Sequence, residues 1–291
     1  MDGPEPWIAE AVGRACGRPP EHWRRTTGGY TPASRWAVTF SDGASAFVKG
    51  ATTPATAQWL GFERAFYETV RASFVAAMLG WDDAGPWPVL VLEDLSNAAW
   101  PPPWDNARVA AVLETLGAVA RTAGPPGLPP LIGRAPKMFR GWDEVASDPA
   151  PFLSLGLCST AWLDEALPRL AASQQMELCE GAGLVHFDVR SDNLCFAEGR
   201  TVLVDWNLPC IGNPLFDVAF WLPSLEFEGG PAPEEVSEEA SSFAGMVAGY
   251  FAANAGKPLI PDAPFVRRVQ REQLSTALPW AARSLGLPPP R

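Results

Sequence analysis

Three side chains suggest chemistry by their types and spacing: Asp188, Asn193 and Asp205, set around two short apolar runs that read as strands, Leu184-Val185 and Val202-Leu203-Val204. An Asp, an Asn five positions on, and an Asp closing a second strand is a spacing used in phosphoryl transfer. One carboxylate orients the attacking hydroxyl, while the amide and the second carboxylate hold Mg²⁺. A hydroxyl that attacks a γ-phosphate must be aimed in line and must lose its proton as the bond forms, which makes Asp188 the candidate catalytic base. Asn193 offers a neutral carbonyl oxygen and Asp205 a charged one. That pair suits Mg²⁺, which takes a few hard oxygen ligands and keeps waters and phosphate oxygens for the rest. Singly, each residue reads equally well as a cap at a turn or strand end; the three in register favour the chemistry.

The elements that must position these groups follow from the pattern around them. Between Trp23 and Gly50 the chain reads as strands: Arg35 to Phe40 alternates, Ser41-Asp42-Gly43 is a hairpin signal, and Ala46-Phe47-Val48-Lys49 follows. Gly28 and Gly29 sit in a turn before them, where backbone amides can approach phosphate oxygens without side-chain obstruction. Pro54 opens a helix expected to run to about Ala77, with Trp59, Leu60, Phe62, Phe66, Val70 and Phe74 on its apolar side. Val89 to Leu92 is a short buried strand, and a passage rich in Pro and Trp reads as a hinge. Asp105 caps a helix to about Arg121, an irregular region spans Lys137 to Pro151, and a helix from Ser159 or Thr160 runs to about Leu178. Helices are expected near 214–225, 233–254 and 264–286, the last kinked at Pro279.

The catalytic-loop pattern His186-Phe187-Asp188 with Asn193, together with Asp205, Gly212, Pro214 and Asp217 in order, resembles the aminoglycoside phosphotransferase and choline kinase-like family. Two positions depart from its usual motif: Phe187 stands where Gly is usual, and Asn213 where an acidic residue is common. The resemblance implies an α+β, bilobal protein-kinase-like fold, with a small antiparallel-sheet N-lobe over residues 1–94 and a mainly helical C-lobe over 95–291. It implies that Lys49 contacts the α- and β-phosphates of ATP or GTP, with Glu63 as its acidic partner in preference to Glu68. Glu93 to Leu95 is similar to the hinge whose backbone bonds the nucleotide base. His186 and Asp217 take supporting roles in the loop.

Where related enzymes build part of the acceptor pocket, this chain carries Glu226, Glu228, Glu234, Glu235, Glu238 and Glu239, carboxylates that would attract an ammonium-bearing substrate. The same residues read as a solvated, acidic helix start. Trp206 and Trp221 are candidates to stack on a sugar or base, with core packing as the plainer role. The partner expected is thus a small-molecule hydroxyl acceptor, cationic or neutral. It is an antibiotic of aminoglycoside, nucleoside or peptide type, or else a metabolite such as a sugar or amino alcohol. A non-catalytic nucleotide-binding module is the reading from outside enzymology.

Composition narrows the field further. A net charge of −11 argues against nucleic-acid or anionic-membrane partners, which need basic patches to displace counterions. Among 22 basic residues the lysines are Lys49, Lys137 and Lys257, so a lysine ending a strand is not generic surface charge. The five cysteines, Cys16, Cys158, Cys179, Cys195 and Cys210, show no metal-ligand spacing or dense framework. No apolar run reaches the roughly 20 residues of a membrane span. A cytoplasmic monomer or homodimer is expected.

Overall fold

Pro6 and Gly17 bracket the first helix, α1 (Pro6–Cys16): proline at the helix start has a preset φ, and glycine ends it in the left-handed conformation at φ 68°. In the computed structural model, which describes residues 3–26, 32–261 and 263–291, α1 packs on an antiparallel sheet. Its strands are β1 (Pro20–Arg25), β2 (Ser34–Phe40) and β3 (Ser45–Gly50), then, after helix α2 (Pro54–Thr69), β4 (Met78–Asp82) and β5 (Val89–Glu93). The strand order is β1-β2-β3-β5-β4, antiparallel throughout. Side chains alternate across a strand, and the two faces differ accordingly. Trp36, Val38, Phe40, Ala46, Val48, Val89 and Val91 close on Ile8, Ala11 and Val12 of α1. The opposite face receives Arg35, Ala37, Phe47, Lys49, Leu90 and Leu92.

Helix α2 begins with Pro54 behind a capping box of Thr53 and Thr56, but stops at Thr69, short of the expected Ala77. Val70 turns extended, and Phe74 and Val75 pack as an open segment beside the hairpin Leu194–Ala197/Arg200–Leu203. The Leu203 amide donates to the Phe74 carbonyl at 2.8 Å. Apolar residues at helical spacing here satisfy an extended chain, leaving room for β4, which the sequence reading did not anticipate. All these elements belong to one compact unit, Met1–Pro101 with Gly124–Pro126 and Asp192–Pro209.

The second unit comprises Pro102–Ala123, Gly127–Ser191 and Cys210–Arg291, and is mainly helical. Asp105 caps the helix Asn106–Ala120, its carboxylate accepting from the Arg108 amide at 2.8 Å. Ser159 caps Thr160–Ala172, which ends earlier than expected. The region expected to be irregular holds short helices at Leu131–Arg134, Pro136–Arg140, Gly141–Ser147 and Ala150–Leu153. Strand Gly183–Val185 pairs with Cys210–Gly212 and leads into the helix Leu215–Phe227. The helix expected over 233–254 is three pieces, Pro233–Val236, Glu239–Phe243 and Ala244–Ala255. The last is buried almost all round, as a helix apolar on every side must be, and Trp142 Nε1 donates to its Gly245 carbonyl at 2.7 Å. Val266–Ser284 is the final helix and runs through Pro279. Among the described residues no helix is long and apolar enough to cross a membrane.

Candidate active site

In the first unit, β3, α2 and the segment after the strand Arg200–Leu203 bring charges together. Lys49, near the end of β3, is 7% exposed, and its Nζ donates to both oxygens of Glu63 from α2, at 2.9 and 2.8 Å, and to Asp205 Oδ1 at 2.9 Å. Glu63 is 2% exposed. Glu68, the competing partner, lies along the helix and accepts from Arg64 at 2.8 Å instead. Burial works against the Lys49 charge, yet the two carboxylates prevail and hold its pKa above the ordinary value. The carboxylates part company: burial pushes Glu63 up to about 7 in spite of Lys49, whereas Lys49 overcomes burial at Asp205 and draws it down to about 2. Asp205 sits at φ 67°, in the left-handed region, just after the strand Arg200–Leu203. Asn193 is 6% exposed, and its carbonyl accepts from the Val204 amide at 2.9 Å, tying it to the same hairpin.

The loop carrying Asp188 belongs to the second unit and is held by backbone. Asp217, in the first turn of Leu215–Phe227, accepts from the His186 amide at 2.7 Å and the Phe187 amide at 2.8 Å. Burial raises the Asp217 carboxyl to about 7, against the pull of those two donors. His186 is fully buried, and its Nδ1 accepts from the Asp188 amide at 3.3 Å. Phe187 has φ 79°, which explains why glycine is at home there: a Cβ is strained in that conformation. Its ring stacks on Phe216 at 5.3 Å. The Asp188 side chain is 41% exposed, with Arg190 Nε 3.2 Å from its Oδ1. The surrounding glycines are compelled by contact: a methyl on Gly181 would lie 2.5 Å from the Gly212 carbonyl oxygen, and one on Gly183 2.3 Å from the Pro214 ring.

Residues 22–252 match the family model described as the phosphotransferase enzyme family. The chain belongs to the phosphotransferase enzyme family. This phosphotransferase also resembles solved structures at low identity. A choline/ethanolamine kinase family protein from Mesorhizobium loti is 13% identical, with 91% of this chain and 92% of that one covered at a TM-score of 0.61. The macrolide 2′-phosphotransferase MphH from Brachybacterium faecium is 14% identical over 93% and 96%, TM-score 0.52. Amicoumacin kinase hAmiN, in complex with AMP-PNP, Ca²⁺ and Ami, is 12% identical over 91% of each chain, TM-score 0.53. At these identities the likeness shows the kinase-like fold. No curated protein matches the sequence.

The other anticipated site residues fall in varied surroundings. Gly28 and Gly29 lie outside the described residues. Glu93 pairs in the sheet opposite Ala46, and its side chain holds Arg200 and the Ala77 amide; the Leu95 carbonyl accepts from Ala98 at 3.0 Å and from Trp100 Nε1 at 3.2 Å. Trp206 is corrected from substrate contact to core. It is fully buried, stacked on Phe66 at 4.0 Å, with its N–H donated to the Leu203 carbonyl. Glu228 accepts from Ser191 Oγ at 2.6 Å and Trp104 Nε1 at 2.8 Å. Glu226 is half-buried, with its carboxyl raised by burial, while Arg283 holds Glu234 at 2.7 Å. Cys195 and Cys210 are buried free thiols pushed up to about 12 by burial, which makes them inert.

A divalent ion fits the donor set of the first unit. Among the described residues no three His, Cys, Asp or Glu side chains form a closed metal site. Mg²⁺ needs no such cage, because it retains waters and phosphate oxygens. One carboxylate held ionised, Asp205, and one amide oxygen, Asn193, are a sufficient protein share. Sequence reasoning overlooked Arg190 and Arg35. The signal for Arg190 was its place two residues after Asp188; that for Arg35 was a cross-strand register that no one-dimensional pattern reveals.

Proposed function

We propose that this phosphotransferase moves the γ-phosphoryl group of ATP to a hydroxyl group of an antibiotic of aminoglycoside, nucleoside or peptide type. The observation that carries the reading is the buried Lys49–Glu63–Asp205 cluster. A lysine clamped by one carboxyl and shared with a second whose pKa it draws down is built to meet a metal-bound polyphosphate. Lys49 binds the α- and β-phosphates, and Glu63 keeps its ammonium aimed. Asp205 and Asn193 are the residues that would hold Mg²⁺, which neutralises charge on the phosphate oxygens when bound. The backbone of Glu93 to Leu95 takes the base.

Asp188 accepts the proton of the attacking hydroxyl, with Arg190 beside it limiting the directions its carboxylate can take. Asp217 and His186 fix the loop backbone so that Asp188 is presented in one orientation. The acidic balance of the chain favours a cationic acceptor, and Glu226 and Glu228 are the carboxylates assigned to its pocket.

The test is nucleotide consumption measured across cationic antibiotics, nucleoside antibiotics and common hydroxyl metabolites, with Asp188→Asn alongside. Turnover with an antibiotic, lowered on the order of 10²–10⁴-fold in Asp188→Asn, and drug tolerance lost with it in a sensitive host, supports the proposal. Turnover confined to metabolites makes the protein a metabolic kinase. Binding without turnover of any acceptor makes it a nucleotide-binding module.

A further inference from the structure

The sheet face that presents Lys49 carries a second cation to which none of the roles above gives a purpose. Arg35 on β2 is the register partner of Lys49 on β3. Directly opposed residues in an antiparallel pair leave the sheet on the same side with Cβ atoms about 5 Å apart, and like charges so placed repel. The alternation of β2 excludes a local slip. Trp36, Val38 and Phe40 all enter the core under α1, so Arg35 must project from the other face. It is half-buried there, its Nη1 donating to the Ala33 carbonyl at 3.1 Å.

Arg35 is also close enough for its charge to act on Asp205, which it helps to keep ionised. Lys49 and Arg35 thus both face the carboxyl pair Glu63 and Asp205. As a plain counter-ion Arg35 would be redundant in bonding, because Lys49 already commits its ammonium to both carboxylates. An arriving polyphosphate changes that balance. An ammonium has three donors, and those that stay on Glu63 leave Lys49 few to offer phosphate; a guanidinium has five in a planar fork that matches phosphate oxygens two at a time.

We propose that Arg35 is a second polyphosphate-binding residue of this site, taking phosphate oxygens of the nucleotide alongside Lys49. The inference rests on reading the Lys49 cluster as a nucleotide site, and it adds a residue to that site.

The test is calorimetry on the full chain, wild type against Arg35→Met and Arg35→Lys, with three probes: a magnesium-loaded non-hydrolysable ATP analogue, magnesium ADP, and adenosine. The expected result is a loss of tenfold or more for the triphosphate in Arg35→Met, a smaller loss for the diphosphate, none for adenosine, and partial recovery in Arg35→Lys. Equal affinities for all three probes in wild type and Arg35→Met would overturn the inference, leaving Arg35 a counter-ion of Asp205 that matters only to thermal stability. Should Arg35→Met fail to fold, Arg35→Gln carries the same expectations. A wild-type chain that binds no nucleotide probe would bring down the nucleotide reading itself, a result distinct from equal binding by both proteins.

Discussion

Around Lys49 the structure is held by side-chain charges buried together, whereas the segment carrying Asp188 is held by one carboxylate that grips two backbone amides. The first arrangement fixes an electrostatic field, and every member depends on the others. The second fixes a backbone shape and is indifferent to what the gripped residues carry as side chains. This is why an unusual Phe187 can occupy the loop while no comparable liberty is visible at Lys49 or Glu63. Charge clusters are brittle to chemistry, and backbone grips are brittle to geometry.

The largest effect should come from breaking the cluster on one side only. Lys49→Met strands Glu63 in the interior without its partner, and one-sided loss of a buried ion pair costs about 3–5 kcal/mol. The double variant Lys49→Met/Glu63→Gln leaves no Glu63 charge to strand, with Asp205 alone still without Lys49, and should recover about 1 kcal/mol or more of that loss in denaturant unfolding. Identical midpoints for the single and double variants would show that the pair is not what holds this region.

The backbone grip should fail more mildly and with a pH signature. In Asp217→Asn an amide can accept from one of the two N–H groups but turns its own donor toward the other, costing about 1–3 kcal/mol. In the wild type, burial raises the Asp217 carboxyl to about 7 from the 3.8 of the free group, so the folded state binds this proton more tightly than the unfolded state. Its contribution to stability is therefore full below the unfolded value and declines as pH rises toward about 7, after which it is constant. The Asn variant has no such decline, so its deficit against wild type should be smaller at about pH 8 than at about pH 5. A deficit that grows with pH would mean that the two amides, and not burial, rule this carboxyl.

The smallest effect is expected at Phe187. Glycine there relieves left-handed strain of about 1–2 kcal/mol but forfeits the stack on Phe216, an aromatic contact of about 1 kcal/mol. Phe187→Gly should stay within about 1 kcal/mol of wild type. Phe187→Ala, which keeps the strained Cβ and loses the ring, should unfold first. The reverse order of thermal midpoints would show that the φ of 79° is not the governing constraint.

Much of the first unit was legible because its signals are local. The alternation of Arg35 to Phe40 and the Ser41-Asp42-Gly43 turn specify a hairpin, and a strand lysine followed by a helical glutamate specifies a pair that the structure shows bonded. Where packing overrides local pattern the reading went astray. Phe66, Val70 and Phe74 repeat at helical spacing, but Val70 and Phe74 are buried beyond the end of the helix, which hid the end of α2 and the whole of β4. Trp206 stays open between stacking on a substrate and core packing in the sequence, because nothing in its neighbourhood reveals that Leu203 satisfies its N–H inside the core. The bonds of Glu228 with Ser191 and Trp104 span 37 and 124 positions, a separation at which no local pattern carries information.

The glycines before and after the Asp188 loop restrict how this protein can change. A methyl at Gly183 would strike Pro214, and one at Gly212 would meet the Leu131 side chain at 2.5 Å, so either residue, on growing, pushes against the turn that leads into the Asp217 helix. Laboratory selection for a new acceptor should accordingly leave this girdle untouched and collect its substitutions at exposed positions such as Glu235, Glu238 and Glu239 instead.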